Sequence, residues 1–514
     1  MDMLLCDELL QEIIQRLPPS SSRSVSLVSR RWLFLLRSST TSLSLRIPSS
    51  SSITNTPTST ADGSSTITIL APSFSTILSH YPFLSNLTII QDDNIDTDGI
   101  SPTSLSSDSL LLAVAVSPCS RRLFHLRFMP NSPVSSSALL SVSSSFTRLT
   151  SLHISSLPPL SLQWLANLPS LKSFSLIRSR PKPSPRRSAR DAIGDDGDGG
   201  AHGDGFIVLP LESLSLSGIR AADRGLSWLW RRCGNLRWLQ LRACDGTGDG
   251  PSYPSFTLCL GGLLGLELRT CRAIADRVLL HAADHCRALT SLLLYDGGSR
   301  DALRHFIHQR GSALRTLDLR LPLDLHNDHL FAIAGDRHHH YHRGGVGSGG
   351  LGLAALRLQS CCLVTGDGLR SLARAPAGAA IEELALVNCD VVEREPGLLT
   401  FLGQSMPRLR RLDLSHNETL ADKEVRSMLA SCRNLVDIRL RGCRSLTGDS
   451  LFSLLKHCSR WLEVIDISRC PGIGADSIET FALSAIRLNQ MIVEEGKVSE
   501  AAKALATRKA IKIG

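Results

Sequence analysis

The sequence is poor in aromatic residues and in long apolar stretches. Only 5% of its 514 residues are aromatic, although 42% are hydrophobic, so a core would have to be built from leucine and other aliphatic side chains. The longest apolar run is Leu110–Val116, far shorter than the roughly 20 residues of a membrane-spanning helix. The first residues lack the basic start and apolar core of a signal peptide. We therefore expect a cytoplasmic or nuclear protein with no membrane partner.

Motifs of catalysis are also absent. The sequence contains no G-x-x-x-x-G-K-[ST] phosphate loop, no H-E-x-x-H metal motif and no G-x-S-x-G turn before a helix. The net charge of +9 could attract an acidic partner, but no basic helix or aromatic platform accompanies it, so nucleic acid is not an expected ligand. These absences predict a non-catalytic protein without a cofactor.

Cysteine is frequent, but its spacing does not fit a metal site. None of the fourteen cysteines forms a C-x-x-C pair. One set closes a repeated strand motif: Cys244, Cys271, Cys361 or Cys362, Cys389, Cys443 and Cys470. A second set lies at helix ends, shortly before the next motif: Cys233, Cys286, Cys432 and Cys458. Periodic cysteine of this kind indicates small buried residues in packed turns.

The motif itself reads L-x-x-L-x-L-x-x-C. Its clearest copies start at Leu409, Leu435 and Leu462, and a period in the twenties is typical of leucine-rich repeats. L-x-L places two apolar side chains on one face of a short strand, and apolar residues at helical spacing follow, as in Asp422–Cys432. Because neither element buries its apolar side alone, stacking predicts an α/β leucine-rich-repeat solenoid with a parallel sheet on its concave face.

The repeats divide the chain into regions. Serine and threonine dominate from Thr40 to Thr66, so residues 41–177 are predicted to hold a linker and degenerate repeats, with motifs at Leu123, Leu149 and Leu171. Regular repeats are predicted over 209–487, with ten motif starts at Leu211, Leu236, Leu263, Leu289, Leu314, Leu353, Ile381, Leu409, Leu435 and Leu462. Residues 488–514 are predicted to form a C-terminal cap, with a strand at Leu488–Val493, a helix at Ser499–Thr507 and a strand at Ile511–Ile513.

Two segments interrupt these regions. Residues 178–208 join a basic, proline-rich stretch to an acidic, glycine-rich one, which predicts a disordered insertion. Its basic half, with Arg186 and Arg187, could be a nuclear localisation signal, and its acidic half only faintly resembles a calcium loop. Residues 335–350 contain four histidines, for which we expect a solvated loop rather than a metal site: His338, His339, His340 and His342.

The first forty residues differ from the repeats. Apolar residues recur at helical spacing from Leu5 to Leu17, and Pro18-Pro19 ends that helix. Two more helices are expected, at Arg23–Val28 and Arg30–Arg37. Three such short helices make a poor free-standing core, so the segment favours a partner that covers its apolar side. A helical cap for the repeats is the alternative.

The residues of this segment resemble an F-box, with Leu5-Cys-Asp-Glu8-Leu9-Leu10 at the start and Val28-Ser-Arg-Arg-Trp32 at the end. We assign 1–40 to it, and the whole chain resembles plant-type F-box/leucine-rich-repeat proteins. Cys6 replaces the usual proline, which could fray the helix start, and Ser29 replaces a common cysteine. The resemblance implies docking onto a Skp-type adaptor and, through it, a cullin. The contacts or direct supports that it implies are Leu5, Leu9, Ile13, Leu17, Val28 and Trp32.

The third, fifth and seventh places of each motif are predicted to line the concave face. Arg242, Arg269, Arg320 and Arg441 share the seventh place, and strands about 4.8 Å apart would align them in a ladder. Such a ladder suits an acidic or phosphorylated target; the alternative is that the arginines pair with neighbouring carboxylates. The predicted target-binding residues are Trp238, Gln240, Arg242, Glu267, Arg269, Asp318, Arg320, Arg357, Arg411, Asp437, Arg439 and Arg441.

Three functions remain open from the sequence. The first is the substrate-recognition subunit of an SCF-type ubiquitin ligase, in which the F-box holds the adaptor and the repeats hold the target. The second is a leucine-rich-repeat interaction scaffold outside any ligase. The third is a small-molecule co-receptor, as in plant hormone receptors of similar architecture. Co-purification with a Skp-type adaptor separates the first from the second.

Overall fold

The computed structural model describes residues 5–18, 21–47, 71–91, 106–130, 132–156, 161–179, 208–223, 225–250, 253–321, 324–335, 352–500, 503 and 511–513. The chain forms two compact units. The first comprises Met1–Trp238 and Cys244–Cys259, and the second comprises Leu239–Ala243 and Leu260–Gly514. No helix among the described residues is long and apolar enough to cross a membrane.

Three helices open the first unit: α1 (Asp7–Arg16), α2 (Ser22–Ser26) and α3 (Arg30–Ser39). Their small core consists of Leu10, Ile14, Val25 and Leu35. Helix α1 ends where the sequence predicted, because Leu17 adopts the extended conformation that the following proline requires of its neighbour.

Parallel strands then alternate with helices in the first unit. Six strands pair in chain order: β1 (Ser42–Ile47), β2 (Asn86–Gln91), β3 (His125–Met129), β4 (Ser151–Ser156), β5 (Ser173–Arg178) and β6 (Ser213–Ser217). The α-helices beside them are α4 (Ala71–Ser79), α5 (Ser107–Val116), α6 (Ser136–Ser143) and α7 (Leu226–Arg232). Short 3-10 turns lie at Ser120–Arg122, Gln163–Asn167 and Phe256–Cys259.

Two of these elements correct the sequence analysis. Strand β1 occupies residues 42–47, for which the serine-rich composition predicts a linker. Its Leu45 and Ile47 are buried while Ser44 and Arg46 are exposed, so the strand is specified by an alternation that composition alone concealed. Arg178, placed at the start of the predicted insertion, is the last residue of β5.

The second unit repeats the same parallel arrangement. Its strands are β7 (Trp238–Arg242, whose first residue belongs to the first unit), β8 (Gly265–Arg269), β9 (Ser291–Tyr295), β10 (Thr316–Arg320), β11 (Ala355–Gln359), β12 (Glu383–Val387), β13 (Arg411–Asp413), β14 (Asp437–Arg439), β15 (Val464–Asp466), β16 (Gln490–Ile492) and β17 (Lys512–Ile513). Each strand from β8 to β16 pairs with the next.

Helices separate most of these strands. They are α8 (Ala275–His285), α9 (Arg300–Arg310), α10 (Asn327–Ala334), α11 (Gly366–Arg374), α12 (Pro376–Ala379), α13 (Asp390–Arg394), α14 (Leu398–Ser405), α15 (Asp422–Ser431), α16 (Gly448–Cys458) and α17 (Ala475–Ser484), with 3-10 turns at Gly311–Ala313 and Glu495–Lys497. The strand–helix repeat fold predicted from the sequence is thus confirmed.

The register stacks equivalent places of successive motifs. Leu319 of β10, for example, pairs with Leu294 of β9 and Leu358 of β11, and all three are buried. The eighth residue of each motif in this unit turns into the left-handed region, whatever its type. Its N–H then donates to the seventh-place carbonyl of the next repeat, as from Thr270 to Tyr295 at 2.8 Å. This shared turn ends every strand at the same level.

The ninth place explains the periodic cysteines. Their buried thiols donate to the sixth-place carbonyl of the preceding repeat: Cys271 to Leu241 (3.3 Å), Cys389 to Leu358 (3.4 Å), Cys443 to Leu414 (3.1 Å) and Cys470 to Leu440 (3.0 Å). Cys361, and not the exposed Cys362, occupies this place. The cysteines are therefore packing and hydrogen-bonding residues, as their spacing predicted.

The remaining predicted segments lie at the edges of the described chain. Gly335, the first residue of the predicted histidine-rich insertion, ends α10 in the left-handed conformation. The four histidines themselves lie outside the described residues, as do residues 180–207. Strands β16 and β17 match the two strands predicted for the cap, whereas only Lys503 of the predicted helix, beyond its first two residues, is described.

Candidate protein-binding surfaces

The three N-terminal helices expose an apolar face. Six apolar side chains outside their core are between 38% and 79% exposed: Leu9, Ile13 and Leu17 of the α1 region, Leu27 and Val28 before α3, and Phe34 of α3. Four of these were predicted from the sequence. The sequence analysis missed Leu27 and Phe34. Exposed apolar residues concentrated in so short a segment indicate a protein-binding surface.

The other two predicted contacts support this face from behind. Leu5 and Trp32 are partly buried against the helical core. Arg31 links the start of α1 to α3, because its guanidinium donates to the Asp7 carboxylate at 2.7 Å and to the Leu5 carbonyl at 2.8 Å. This contact therefore holds the start of α1 against α3.

The two departures from the F-box pattern are both accommodated. Cys6 precedes α1 with φ of −71°, close to the value that proline would fix, and its carbonyl accepts from Leu10 N–H at 3.1 Å. Ser29 caps α3, since its hydroxyl accepts from the Trp32 N–H at 3.2 Å. Neither substitution removes a helix start.

We use the term open face for the sheet face formed by the third, fifth and seventh motif places. On the open face of the second unit, arginines pair with carboxylates of their own strands. The guanidinium of Arg320 donates one hydrogen bond to each oxygen of the Asp318 carboxylate, at 2.7 and 2.8 Å. Arg269 donates two hydrogen bonds to Glu267, at 3.0 and 3.1 Å. The Asp318 hydrogen bond is the main cause that raises the pKa of Arg320. Gln240 also donates to Glu267, at 2.8 Å.

A shallow cavity of about 230 Å³ lies over β11 to β14 on the same face. Arg357 reaches across the small Ala385 of β12 to bond Asp413 of β13 at 2.9 Å. Beside it, Arg411 pairs with Glu383 at 3.3 Å and Arg439 pairs with Asp437 at 3.1 Å. Three arginines and three carboxylates thus alternate around this cavity, and their formal charges cancel.

The predicted arginine ladder is not continuous. Tyr295 stands between Arg269 and Arg320 in the sheet register, and the seventh places between Arg320 and Arg441 carry Gln359, Val387 and Ser415. Two arginines of the predicted ladder, Arg242 and Arg441, are exposed, and Trp238 is exposed at the start of β7. Pairing with carboxylates, our alternative, is what the structure shows for Arg269 and Arg320 of the ladder, and also for Arg357, Arg411 and Arg439.

The open face of the first unit has a different composition, which the sequence analysis overlooked. Its third, fifth and seventh places carry serine, threonine, asparagine, histidine, arginine and a few apolar residues, but no aspartate or glutamate. The arginines there are Arg46 on β1 and Arg127 on β3, and the histidines are His125 on β3 and His153 on β4. The signal was available in the sequence, because the weaker motifs of this region already give the places.

Among the described residues, no group of three or more histidine, cysteine or acidic side chains could hold a metal ion. Burial raises the pKa of several structural cysteines, including Cys233 and Cys443, to about 12. Such thiols stay protonated at neutral pH and are poor metal ligands or nucleophiles.

Comparison with known proteins agrees with the N-terminal assignment. The model of the F-box domain family matches residues 3–41. The chain therefore contains an F-box domain, whose helices carry the apolar face described above. Among solved structures, a chain from the yeast Rad7 and Elc1 complex is 14% identical, with 87% of this chain and 88% of that chain covered and a TM-score of 0.44. A chain of a TLR13–ssRNA13 complex is 13% identical, covering 81% and 63%, with a TM-score of 0.39. These two similarities are too distant to indicate function.

Proposed function

We propose that this protein is the non-catalytic substrate-recognition subunit of an SCF-type cullin-RING ubiquitin ligase. The exposed apolar face of its F-box helices is the observation that carries the proposal. A Skp-type adaptor covers this face, and the repeat units hold a target protein. Tethering raises the effective concentration of target lysines near the charged ubiquitin-conjugating enzyme, so no residue of this chain has to react.

Two further observations support this assignment. The apolar face is larger than helix stability requires, because Leu10, Ile14, Val25 and Leu35 already form the core. The cysteines are free thiols, most of them buried, which suits the reducing cytosol or nucleus where we propose that the protein acts. The open face of the second unit remains a proposed target-contact surface, through the alternating charges around its cavity.

Proximity labelling with the full chain tests this function. In a Leu9→Ala/Ile13→Ala variant, we expect adaptor and cullin peptides to vanish from the labelled set while target proteins remain. Both side chains are 40–49% exposed, so their loss should spare folding. The matched control is Leu112→Ala/Val116→Ala on α5, a pair with the same helical spacing and comparable or greater exposure. If both variants label the adaptor as the full chain does, the adaptor does not bind at this face. If the full chain itself labels no adaptor or cullin, the ligase function is wrong and the repeat scaffold remains.

A further inference from the structure

The open faces of the two units differ in how their cations are balanced. In the second unit, Arg269, Arg320, Arg357, Arg411 and Arg439 all lie in ion pairs. In the first unit, Arg127 makes no ion pair with any described residue, and no carboxylate occupies the sheet places around it. An arginine that already binds a carboxylate has less to offer a ligand, since its donors are occupied and its charge is compensated.

The register places Arg127 in one row with a histidine and hydroxyl groups. Arg127 pairs with Thr88 of β2 on one side and with His153 of β4 on the other, and His153 pairs with Ser175 of β5. In the row of third motif places, His125 of β3 lies between Asn86 of β2 and Ser151 of β4. Nearly all of these side chains can donate hydrogen bonds.

One of these groups has an unsatisfied atom. Nε2 of His153 is shielded from solvent and has no hydrogen-bond partner. A buried polar atom without a partner costs free energy, which is recovered when the half-buried ring turns to present an N–H to a ligand acceptor. Burial and the positive charge of Arg127 lower the pKa of His153, so its ring is neutral when the face is empty.

We propose that the open face of β2 to β5 binds an acidic, aspartate- or glutamate-rich segment of the target protein in an extended conformation. This inference rests on the proposed function and moves the acidic contact from the second unit to the first. The donors spread over four strands, roughly 14 Å at the usual strand spacing. That spread matches several carboxylates along one segment better than a single phosphate group. Arg127 contacts one carboxylate, and His153 donates to another.

The proposed contact is linked to proton uptake. The charged and titratable groups that face His153 are Arg127 and His125 of β3, whereas β5 presents Ser173 and Ser175. A bound carboxylate raises the pKa of the imidazole, so binding takes up a proton. Affinity therefore rises as pH falls from about 8 to about 6, and the rise is lost in His153→Gln.

The test uses the full chain with its Skp-type adaptor and four fluorescent peptides of one serine-rich sequence, bearing glutamate, glutamine, phosphoserine or lysine at the same places. We expect the glutamate peptide to bind best, and increasing salt to weaken it. Arg127→Ala should weaken it about fivefold, the upper range for an exposed pair. Arg121→Ala, which removes an equally exposed charge from the 3-10 turn of this unit, and Arg320→Ala, whose charge Asp318 already compensates, should change it little.

Several outcomes overturn the proposal. Equal binding of the glutamate and glutamine peptides would show that the face does not recognise carboxylates. Equal effects of Arg127→Ala and Arg121→Ala would show that the peptide does not bind at Arg127. Tighter binding of the phosphoserine peptide assigns the face to phosphate and overturns the carboxylate assignment. Adaptor binding is measured in the same samples. If the adaptor does not bind but the glutamate peptide is still preferred, the ligase function alone is wrong. If the adaptor binds but the glutamate peptide is not preferred, this inference alone is wrong.

Discussion

Asn417 provides the most quantitative test of how the repeats are held together. It occupies the ninth motif place, where neighbouring repeats have cysteine, and it is only 1% exposed. Its amide donates to the carbonyls of Leu386 and Leu414, both at 2.8 Å, and its oxygen accepts from the Cys389 N–H at 2.9 Å. The Leu414 carbonyl keeps a second donor, the Cys443 thiol.

The structure therefore predicts a larger loss of stability for Asn417→Ala than for Asn417→Cys. Asn417→Ala leaves the Leu386 carbonyl and the Cys389 N–H unsatisfied, and a buried orphan group costs about 1–3 kcal/mol, so the expected loss is about 4 kcal/mol. Asn417→Cys keeps a donor for Leu386, as cysteine does elsewhere in the array, so about 2 kcal/mol is expected.

Hydrogen exchange of the amides in β12, β13 and the turns after them measures the loss of local stability. A local measurement is appropriate because the global unfolding of a repeat array need not be two-state. Equal protection from exchange in the unmodified chain and both variants would refute the role assigned to the ninth place. So would a cysteine variant that is protected no more than the alanine variant.

Three further outcomes are expected. Arg178→Ala should lower the free energy of unfolding, measured by heat or urea, by about 3–5 kcal/mol, because it leaves the buried Asp223 carboxylate, 2.6 Å from the Arg178 Nε, without its ion-pair partner. A loss no larger than that for replacing an exposed arginine would contradict this pairing. Ser29→Ala should destabilise the F-box helices by about 1 kcal/mol through the lost cap, and an unchanged helical circular dichroism melt would count against it. Thiol alkylation of the folded chain at mildly alkaline pH should label only Cys6 and Cys362, since burial raises the pKa of many other thiols; rapid labelling of others would show that the repeats open.

The sequence predicted those features that depend on local periodicity. Helix α1, the strand–helix repeats and the buried cysteines followed from spacing, whereas most residues of the apolar F-box face followed from the resemblance to that family. Features that depend on which residue stands beside which were less accessible. The arginine ladder is not continuous, because Tyr295 occupies the seventh place between Arg269 and Arg320 and each of these arginines pairs with a carboxylate of its own strand. Strand β1 was missed because a serine-rich composition outweighed a short alternation.

The division of the chain into an adaptor-binding domain and a target-binding repeat region is tested most directly by one affinity measurement. A purified Skp-type adaptor is titrated into the full chain, a Leu9→Glu/Ile13→Glu variant and the Leu112→Glu/Val116→Glu control. Our account predicts tight binding to the first and third and loss of binding to the second, because two carboxylates would be desolvated within an apolar interface. Equal affinity for all three chains, or no binding to any, would contradict it.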